Sequence, residues 1–209
     1  MTAALGLPIA YLAGSFPTAY LAGRLLKGID LRTVGSGNLG ATNVYRALGF
    51  EAALVVFLVD FAKGAVPVYV LPRLLGDLRS GTDPFIWWSL AYGTLAIVGH
   101  AKPIFLLWNG GGKGVATGAG IFLALAAGPM ITALMVFAFV LWASGYVSLG
   151  SLMASAVLPV FVYLDQGATP VFYSSVAIAA FVFWTHRANI ARLKSGTEHR
   201  FNRTKDLGS

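Results

Sequence analysis

GVATGAGIFLALAAGPMITALMVFAFVLWASGYVSLGSLMASAVLPVFVYL, residues 114–164, runs for 51 positions without one formal charge. A soluble domain carries charge every few residues on its wet face, so this stretch belongs in lipid. At roughly 20 residues per bilayer crossing it holds two or three spans. Breaks are offered at Gly128-Pro129 and at Ser144-Gly145. The first of these leaves two helices of about fifteen residues, or roughly 22 Å each, which is short for a crossing. Composition extends the reading to the whole chain: 209 residues are 57% hydrophobic and 11% charged, with a mean hydropathy of +0.73. The apolar runs are continuous and do not alternate, so the spans are helices, which satisfy their own backbone hydrogen bonds. With no cysteine, disulfides and thiolate metal sites are excluded.

Outward from this stretch lie further apolar runs over residues 3–22, 52–71, 85–98 and 171–184. The first has no basic segment ahead of it and no evident cleavage site, and is read as a retained span. Counting three spans in 114–164, the total is seven. Four polar stretches then emerge on one side: residues 24–50, the glycine stretch 99–117, residues 144–151 and the tail from His186. That side carries Arg24, Lys27, Arg32, Arg46, Lys102, Lys113, Arg187, Arg192, Lys194, Arg200, Arg203 and Lys205, against Arg73 and Arg79 on the other. By the positive-inside rule the crowded side is cytoplasmic, with the N-terminus outside and the C-terminus inside. The expectation is an all-α integral membrane protein of seven transmembrane helices, forming one membrane-embedded domain over residues 1–209. The net charge of +7 sits in loops flanking apolar runs, so it marks topology and anion ligands, and no nucleic-acid partner is expected.

The chemistry lies in the polar stretches. In residues 99–117, Gly110, Gly111, Gly112 and Gly114 surround Lys113 just before an apolar run opens at Val115. A glycine turn feeding a helix N-terminus offers free backbone N–H groups, the helix dipole and one full positive charge, which together can hold a phosphate. The spacing is not that of a P-loop. The alternative is a flexible glycine hinge. In residues 24–50, Ser36, Gly37, Asn38, Thr42 and Asn43 supply donors and close backbone approach, and Arg46 can grip a phosphate with two hydrogen bonds; the alternative there is a turn followed by an ordinary helix cap. Asp60 and Lys63, at i and i+3 within a span, share a face and can pair, either as structure or beside the site. Candidates for proton transfer are His186, Glu198 and His100. Ser36, Ser148 and Ser151 read as ligand donors ahead of nucleophiles, since no activating base is evident in sequence. No metal-ligand spacing is visible.

Three motifs taken together carry a resemblance: Ser36-Gly37-Asn38-x-Gly40-Ala41-Thr42-Asn43 with Arg46; Gly99-His100-x-x-Pro103-x-Phe105 leading to Gly111-Gly112-Lys113-Gly114-Val115-Ala116-Thr117; and His186-Arg187-x-Asn189-Ile190-x-Arg192-Leu193. They resemble the bacterial acyl-phosphate:glycerol-3-phosphate acyltransferase (PlsY) family, in order and over essentially the whole chain. Asp60, Lys63, Gly64 and Pro67 are also similar to that family. Asn109 and Gly110 depart from it, standing where the family usually has a second lysine and one residue fewer after the histidine. The resemblance implies a multi-pass enzyme of the bacterial inner membrane, its site facing the cytoplasm. Such an enzyme transfers a fatty acyl group from acyl phosphate to the 1-hydroxyl of sn-glycerol 3-phosphate, giving 1-acyl-sn-glycerol 3-phosphate and inorganic phosphate in phospholipid biosynthesis. It implies His186, Lys113, Ser148 and Asn189 as catalytic, and Ser36, Gly37, Asn38, Thr42, Asn43, Arg46, Gly111, Gly112, Gly114 and Glu198 as substrate-binding. No cofactor and no metal is expected; the partners are the two substrates and membrane lipid, and the protein is expected to be a monomer.

The residues alone agree with that chemistry. Acyl phosphate is already an activated mixed anhydride, so positioning, charge neutralisation and a donor to the carbonyl oxygen supply most of the catalysis. The rival from another class is a membrane transporter of small organophosphates or anions, with charged groups at helix breaks lining a path. The crowding of polar residues on one face, away from the midplane, argues against it. A second rival is a transferase using a polyprenyl phosphate, which would need magnesium and the acidic residues to hold it.

Overall fold

A computed structural model describes residues 2–75 and 83–201, and all regular structure among them is helical. The chain divides into two units, Met1–Leu125 and Ala126–Ser209. In the first, a 3-10 turn over Thr2–Leu5 leads into α1 (Gly6–Ser15) and α2 (Thr18–Lys27). The apolar run over residues 3–22 is therefore two helices and not one. Pro17 has no N–H to donate and forces Phe16 out of the helical region, to ψ 118°. The polar stretch 24–50 contains α3 (Ala41–Leu48). Then come α4 (Phe50–Leu75) and α5 (Asp83–Ala101), a 3-10 turn at Ile104–Leu106, and α6 (Val115–Leu125). Between the apolar runs 52–71 and 85–98, where the sequence predicts a short loop over residues 73–84, Arg73 lies in the last turn of α4 and Pro84 in the first turn of α5; Arg79 lies outside the described residues, as do Arg203 and Lys205.

Two helix crossings in this unit are set by small residues. A Cβ on Gly64 would overlap the Thr117 carbonyl and one on Gly120 the Phe61 carbonyl, so α4 and α6 touch backbone to backbone. Gly14 against Ala96 and Gly99 against Tyr11 do the same for α1 and α5. In lipid, burial of apolar surface does not drive helices together, and close van der Waals contact does. The amphipathic α2 and α3 instead bury an apolar cluster, Ala19, Leu31, Leu39, Val44, Ala53 and Val56, beneath the polar stretch. That cluster seats the first candidate motif on the end of α4.

The second unit holds α7 (Ala127–Ser144), α8 (Val147–Gln166), α9 (Pro170–Thr185) and the short basic α10 (Arg187–Lys194). The expected break at Ser144-Gly145 is present, with Gly145 left-handed at φ 74°. The expected break at Gly128-Pro129 is displaced to Ala126, at φ −151° and ψ 67°. Gly128 and Pro129 lie in the first turn of α7, where a proline costs nothing because that N–H has no acceptor within the helix.

Among the described residues, four stretches are long and apolar enough to cross a membrane: Thr2–Lys27, Phe50–Leu75, Ala127–Ser144 and Val147–Gln166. Val115–Leu125 and Pro170–Thr185 are apolar but shorter; the former, at 11 residues, is about 16 Å long. Large apolar side chains stand exposed along these helices, among them Leu54, Val55 and Leu58 on α4 and Met135, Phe139 and Trp142 on α7. A water-soluble surface does not tolerate patches of that extent; a lipid-facing one requires them. The chain is a multi-pass membrane protein.

Candidate active site

In the first unit the two glycine-bearing motifs meet. Asn38 Nδ2 and the Leu39 N–H both donate to the Gly111 carbonyl, each at 3.2 Å. Arg32 reaches across from the same loop to donate from Nη1 to the Asn109 carbonyl at 3.3 Å. Its Nη2 lies 2.7 Å from Asp30 Oδ2, and its Nε also donates to that carboxylate. The Arg32 hydrogen bond holds the Asp30 carboxyl at about pKa 2, below its ordinary value of 3.8; reciprocally, Asp30 raises Arg32. The Asp30–Arg32 pair thus fixes a guanidinium against the glycine stretch, a role that an Asp-x-Arg spacing signals only weakly and that sequence reasoning missed.

Asn43 is buried and its side chain is committed to the loop: Oδ1 accepts from the Ser36 N–H at 3.1 Å, while Nδ2 donates to the Leu31 and Val34 carbonyls at 3.3 and 3.1 Å. It ties residues 31–36 to the first turn of α3, leaving Ser36 exposed at the rim and Thr42 half-buried in that turn. Arg46 is exposed on the last turn of α3, and Lys113 is half-buried ahead of α6. The loop that carries Lys113 is held from below. Gly112 N–H donates to the His100 carbonyl at 3.1 Å, and a Cβ at Gly112 would overlap the His100 ring. Gly111, at φ 140° and with its Cα facing the Ala101 carbonyl, admits no side chain either. The first unit therefore joins two helix N-termini, α3 and α6, whose opening N–H groups have no acceptor within the helix, with Arg46 on the last turn of α3 and Lys113 on the loop ahead of α6. Free N–H groups, helix dipoles and two cations are the chemistry that can hold a phosphate.

In the second unit Ser148, Asn189, Arg192 and Glu198 converge. Glu198 Oε1 accepts from Ser148 Oγ at 2.8 Å and from Asn189 Nδ2 at 2.7 Å, and Oε2 accepts from Arg192 Nε at 2.7 Å. The chain returns for this through a left-handed Gly196 (φ 71°), with Thr197 N–H donating to the Arg192 carbonyl at 2.9 Å. Burial would raise the Glu198 carboxyl, but the hydrogen bonds from Asn189, Ser148 and Arg192 and the Arg192 charge outweigh it and lower the pKa. A carboxylate so held is a weak base and serves as an anchor. His186 sits where α9 ends and α10 begins, buried, with Nδ1 2.8 Å from the Val182 carbonyl. A carbonyl only accepts, so Nδ1 carries the proton and the neutral ring's lone pair is on Nε2. Arg187 lies over the Trp184 ring instead, and Ser151 returns its hydroxyl to the Val147 carbonyl of its own helix.

The sequence matches the family described as glycerol-3-phosphate acyltransferase over residues 4–196. The glycerol-3-phosphate acyltransferase of Thermosynechococcus vestitus is 45% identical over 195 residues, 92% of either chain. That of Synechococcus sp. strain CC9902 is 45% identical over 200 residues, 96% of either chain. This chain belongs to the glycerol-3-phosphate acyltransferase family. Among solved glycerol-3-phosphate acyltransferases, PlsY (YgiH), an integral membrane glycerol 3-phosphate acyltransferase, superposes in its glycerol 3-phosphate form with a TM-score of 0.89 at 34% identity, covering all of both chains. Its lysophosphatidic acid form gives 0.84 at 33% identity, again over all of both chains. The family's three sequence signatures thus fall on two local constructions here: a pair of joined glycine loops, and a carboxylate gathering three donors.

Proposed function

We propose that this protein transfers a fatty acyl group from acyl phosphate to the 1-hydroxyl of sn-glycerol 3-phosphate, releasing inorganic phosphate and 1-acyl-sn-glycerol 3-phosphate, the entry to phospholipid synthesis. The observation that carries the reading is the likeness, over the full length of both chains, to an acyltransferase solved with glycerol 3-phosphate and again with lysophosphatidic acid. In the first unit, Lys113, Arg46, Ser36, Asn38 and Thr42, with the N–H groups bordering Gly111, Gly112 and Gly114, bind and neutralise substrate phosphate. In the second, Asn189, oriented by Glu198, or Ser148, on turning its single O–H away from Glu198, donates to the developing oxyanion. The substrate hydroxyl oxygen attacks the acyl carbonyl carbon, the bond from that carbon to the phosphate oxygen breaks, and the hydroxyl proton passes to His186 or to a phosphate oxygen. An acyl phosphate donor suits a site whose serine rests on a weakly basic carboxylate, because a mixed anhydride needs no covalent enzyme intermediate.

The test is phosphate release from palmitoyl phosphate by the purified protein in detergent, with and without sn-glycerol 3-phosphate. Release that depends on the alcohol and equals the acylated product formed is the expected result. Release without product, or none, overturns it.

The same reading takes the chain as one functional domain over residues 1–209, monomeric, with seven spans in the bacterial inner membrane, the N-terminus outside and the active site facing the cytoplasm. It is supported by the concentration of lysine and arginine in the polar stretches. With no native cysteine in the chain, single cysteines report the topology directly. Thr2→Cys should react with a membrane-impermeant maleimide added to the outer face of the membrane, and Lys194→Cys only after permeabilisation. Labelling of both from the same side would exclude an odd number of spans.

A further inference from the structure

Lys63 and Asp60 lie within α4, both nearly inaccessible to solvent, with Lys63 Nζ 2.6 Å from Asp60 Oδ1. Lys63 Nζ also donates to the Phe16 carbonyl at 2.6 Å, at the Pro17 break between α1 and α2, where the same oxygen takes the Thr18 N–H at 3.0 Å. Charges inside a span are costly and survive where each finds a full set of partners. The pair does not end there. His100, on the last turn of α5, places Nδ1 3.7 Å from Asp60 Oδ1. The other edge of its ring is the surface on which Gly112 rests, too close for any side chain at that position. A small cavity borders Thr18, Asp60, Lys63, His100, Gly111 and Gly112, and the buried Thr18 Oγ1 beside it makes no hydrogen bond among the described residues. The contacts run without a gap from the break in the first span, through Lys63, Asp60 and His100, to Gly112 and Gly111, and thence to Asn38 and Leu39.

We propose that Asp60 and Lys63 are positioning residues of the transferase: the ion pair orients His100, and the His100 ring sets the height of the Gly111–Gly112 loop that presents Lys113 to substrate phosphate. This rests on the functional reading above, since the loop's position matters only if it holds substrate. A buried pair kept solely for stability could be replaced by a neutral pair of similar shape with little loss of folding. A pair kept for positioning could not be replaced without moving the loop.

The experiment is a kinetic double-mutant cycle in detergent, with melting temperatures taken alongside. Asp60→Asn/Lys63→Met removes both charges; Gly112→Ala displaces the His100 ring from the loop side; the third protein combines them. For each, kcat and KM are measured for palmitoyl phosphate and for sn-glycerol 3-phosphate. The expected result is a rise of about tenfold in KM for a phosphate substrate in either parent, larger than the fall in kcat, and a combined protein within about threefold of the worse parent because both act through one ring. Wild-type KM values in a well-folded Asp60→Asn/Lys63→Met protein would overturn the proposal, as would effects that multiply to about a hundredfold in the combined protein. If the charge-removed protein does not fold, His100→Gln, which leaves the ion pair intact, decides: wild-type kinetics there overturn the proposal, and a raised KM supports it. The wild-type protein in the same assay tests the activity itself, so an inactive wild type refutes the functional reading separately from the network.

Discussion

Asn189 Nδ2 donates to Glu198 Oε1 across 2.7 Å, nine positions apart in the chain and brought together by the reversal at Gly196. The same oxygen takes the Ser148 hydroxyl, so two donors from different helices are aligned by one acceptor. Their directions are a property of the carboxylate, and disturbing it disturbs both.

Glu198→Gln is therefore expected to lose activity by more than the missing charge explains. A glutamine offers one acceptor oxygen and turns an N–H toward either Arg192 or the Ser148–Asn189 side, leaving a buried donor unpaired, at a cost of about 1–3 kcal/mol. The expected outcome is a lower melting temperature and a kcat reduced at least about tenfold. Wild-type melting and turnover in the Glu198→Gln protein would show that Glu198 orients neither partner.

Asn43→Ala removes three hydrogen bonds at once, stranding the Ser36 N–H and the Leu31 and Val34 carbonyls. The loss expected is roughly 2–4 kcal/mol of stability. Because the loop it holds carries Ser36 and Asn38, KM is expected to rise in whatever protein remains folded at low temperature. Melting curves and kinetics at two temperatures separate the contributions.

Asp30 gives a pH signature. Its carboxyl is held at about 2 in the folded protein against an ordinary 3.8; a depressed folded pKa stabilises the fold above the ordinary value, and that stabilisation fades as pH falls from about 3.8 toward 2. Asp30→Asn is expected to flatten the melting temperature through that window, compared with the wild type, while leaving the curve's shape above about pH 5 unaltered. Equal acid slopes in the two proteins would refute the assignment.

Lys113→Ala is expected to lower kcat/KM by about 100-fold, the usual scale for removing one charged donor from a transition state, with Lys113→Arg recovering part of it. Parallel assays at saturating and limiting substrate show whether the lysine acts on binding or on the chemical step.

Membrane class and the positions of the polar stretches are legible in the sequence because lipid imposes continuous apolar runs, and charge can collect only between them. Pro17 is legible as a kink for the reason that a missing N–H acts locally. Ala126 is not: alanine has no backbone signature, and Gly128-Pro129, a turn pair in water, fits the opening turn of a helix equally well. Asn38 and Gly111 are legible as polar loop residues, but their contact depends on how two loops 73 positions apart dock. His186 and Asn189 share one motif, but Glu198 reads as isolated from it because nothing short of the Gly196 reversal shows that the chain returns. Asn43 has the residue type of a ligand donor, and only its burial reveals that its three hydrogen bonds are spent on the loop.

The crossing of α4 and α6 offers a last prediction that links packing to the site. A Cβ at Gly120 would overlap the Phe61 carbonyl, which is backbone and cannot rotate away, so Gly120→Ala must push the helices apart. Overpacking of this kind costs about 1–3 kcal/mol. Gly128 is the matched control: it is helical, in the first turn of α7, and a Cβ there meets nothing within 4 Å. Gly128→Ala is therefore expected to leave the melting temperature unchanged or to raise it slightly, since alanine favours the helix by up to about 1 kcal/mol. The two proteins should differ in kinetics as well. α6 begins one residue after Gly114, and its N-terminal turn carries the loop bearing Lys113, so tilting α6 away from α4 moves the lysine. Gly120→Ala is expected to raise KM for a phosphate substrate in the fraction that stays folded, with Gly128→Ala kinetically silent. If both alanines melt and turn over like the wild type, the close crossing at Gly64 and Gly120 does not position the phosphate loop.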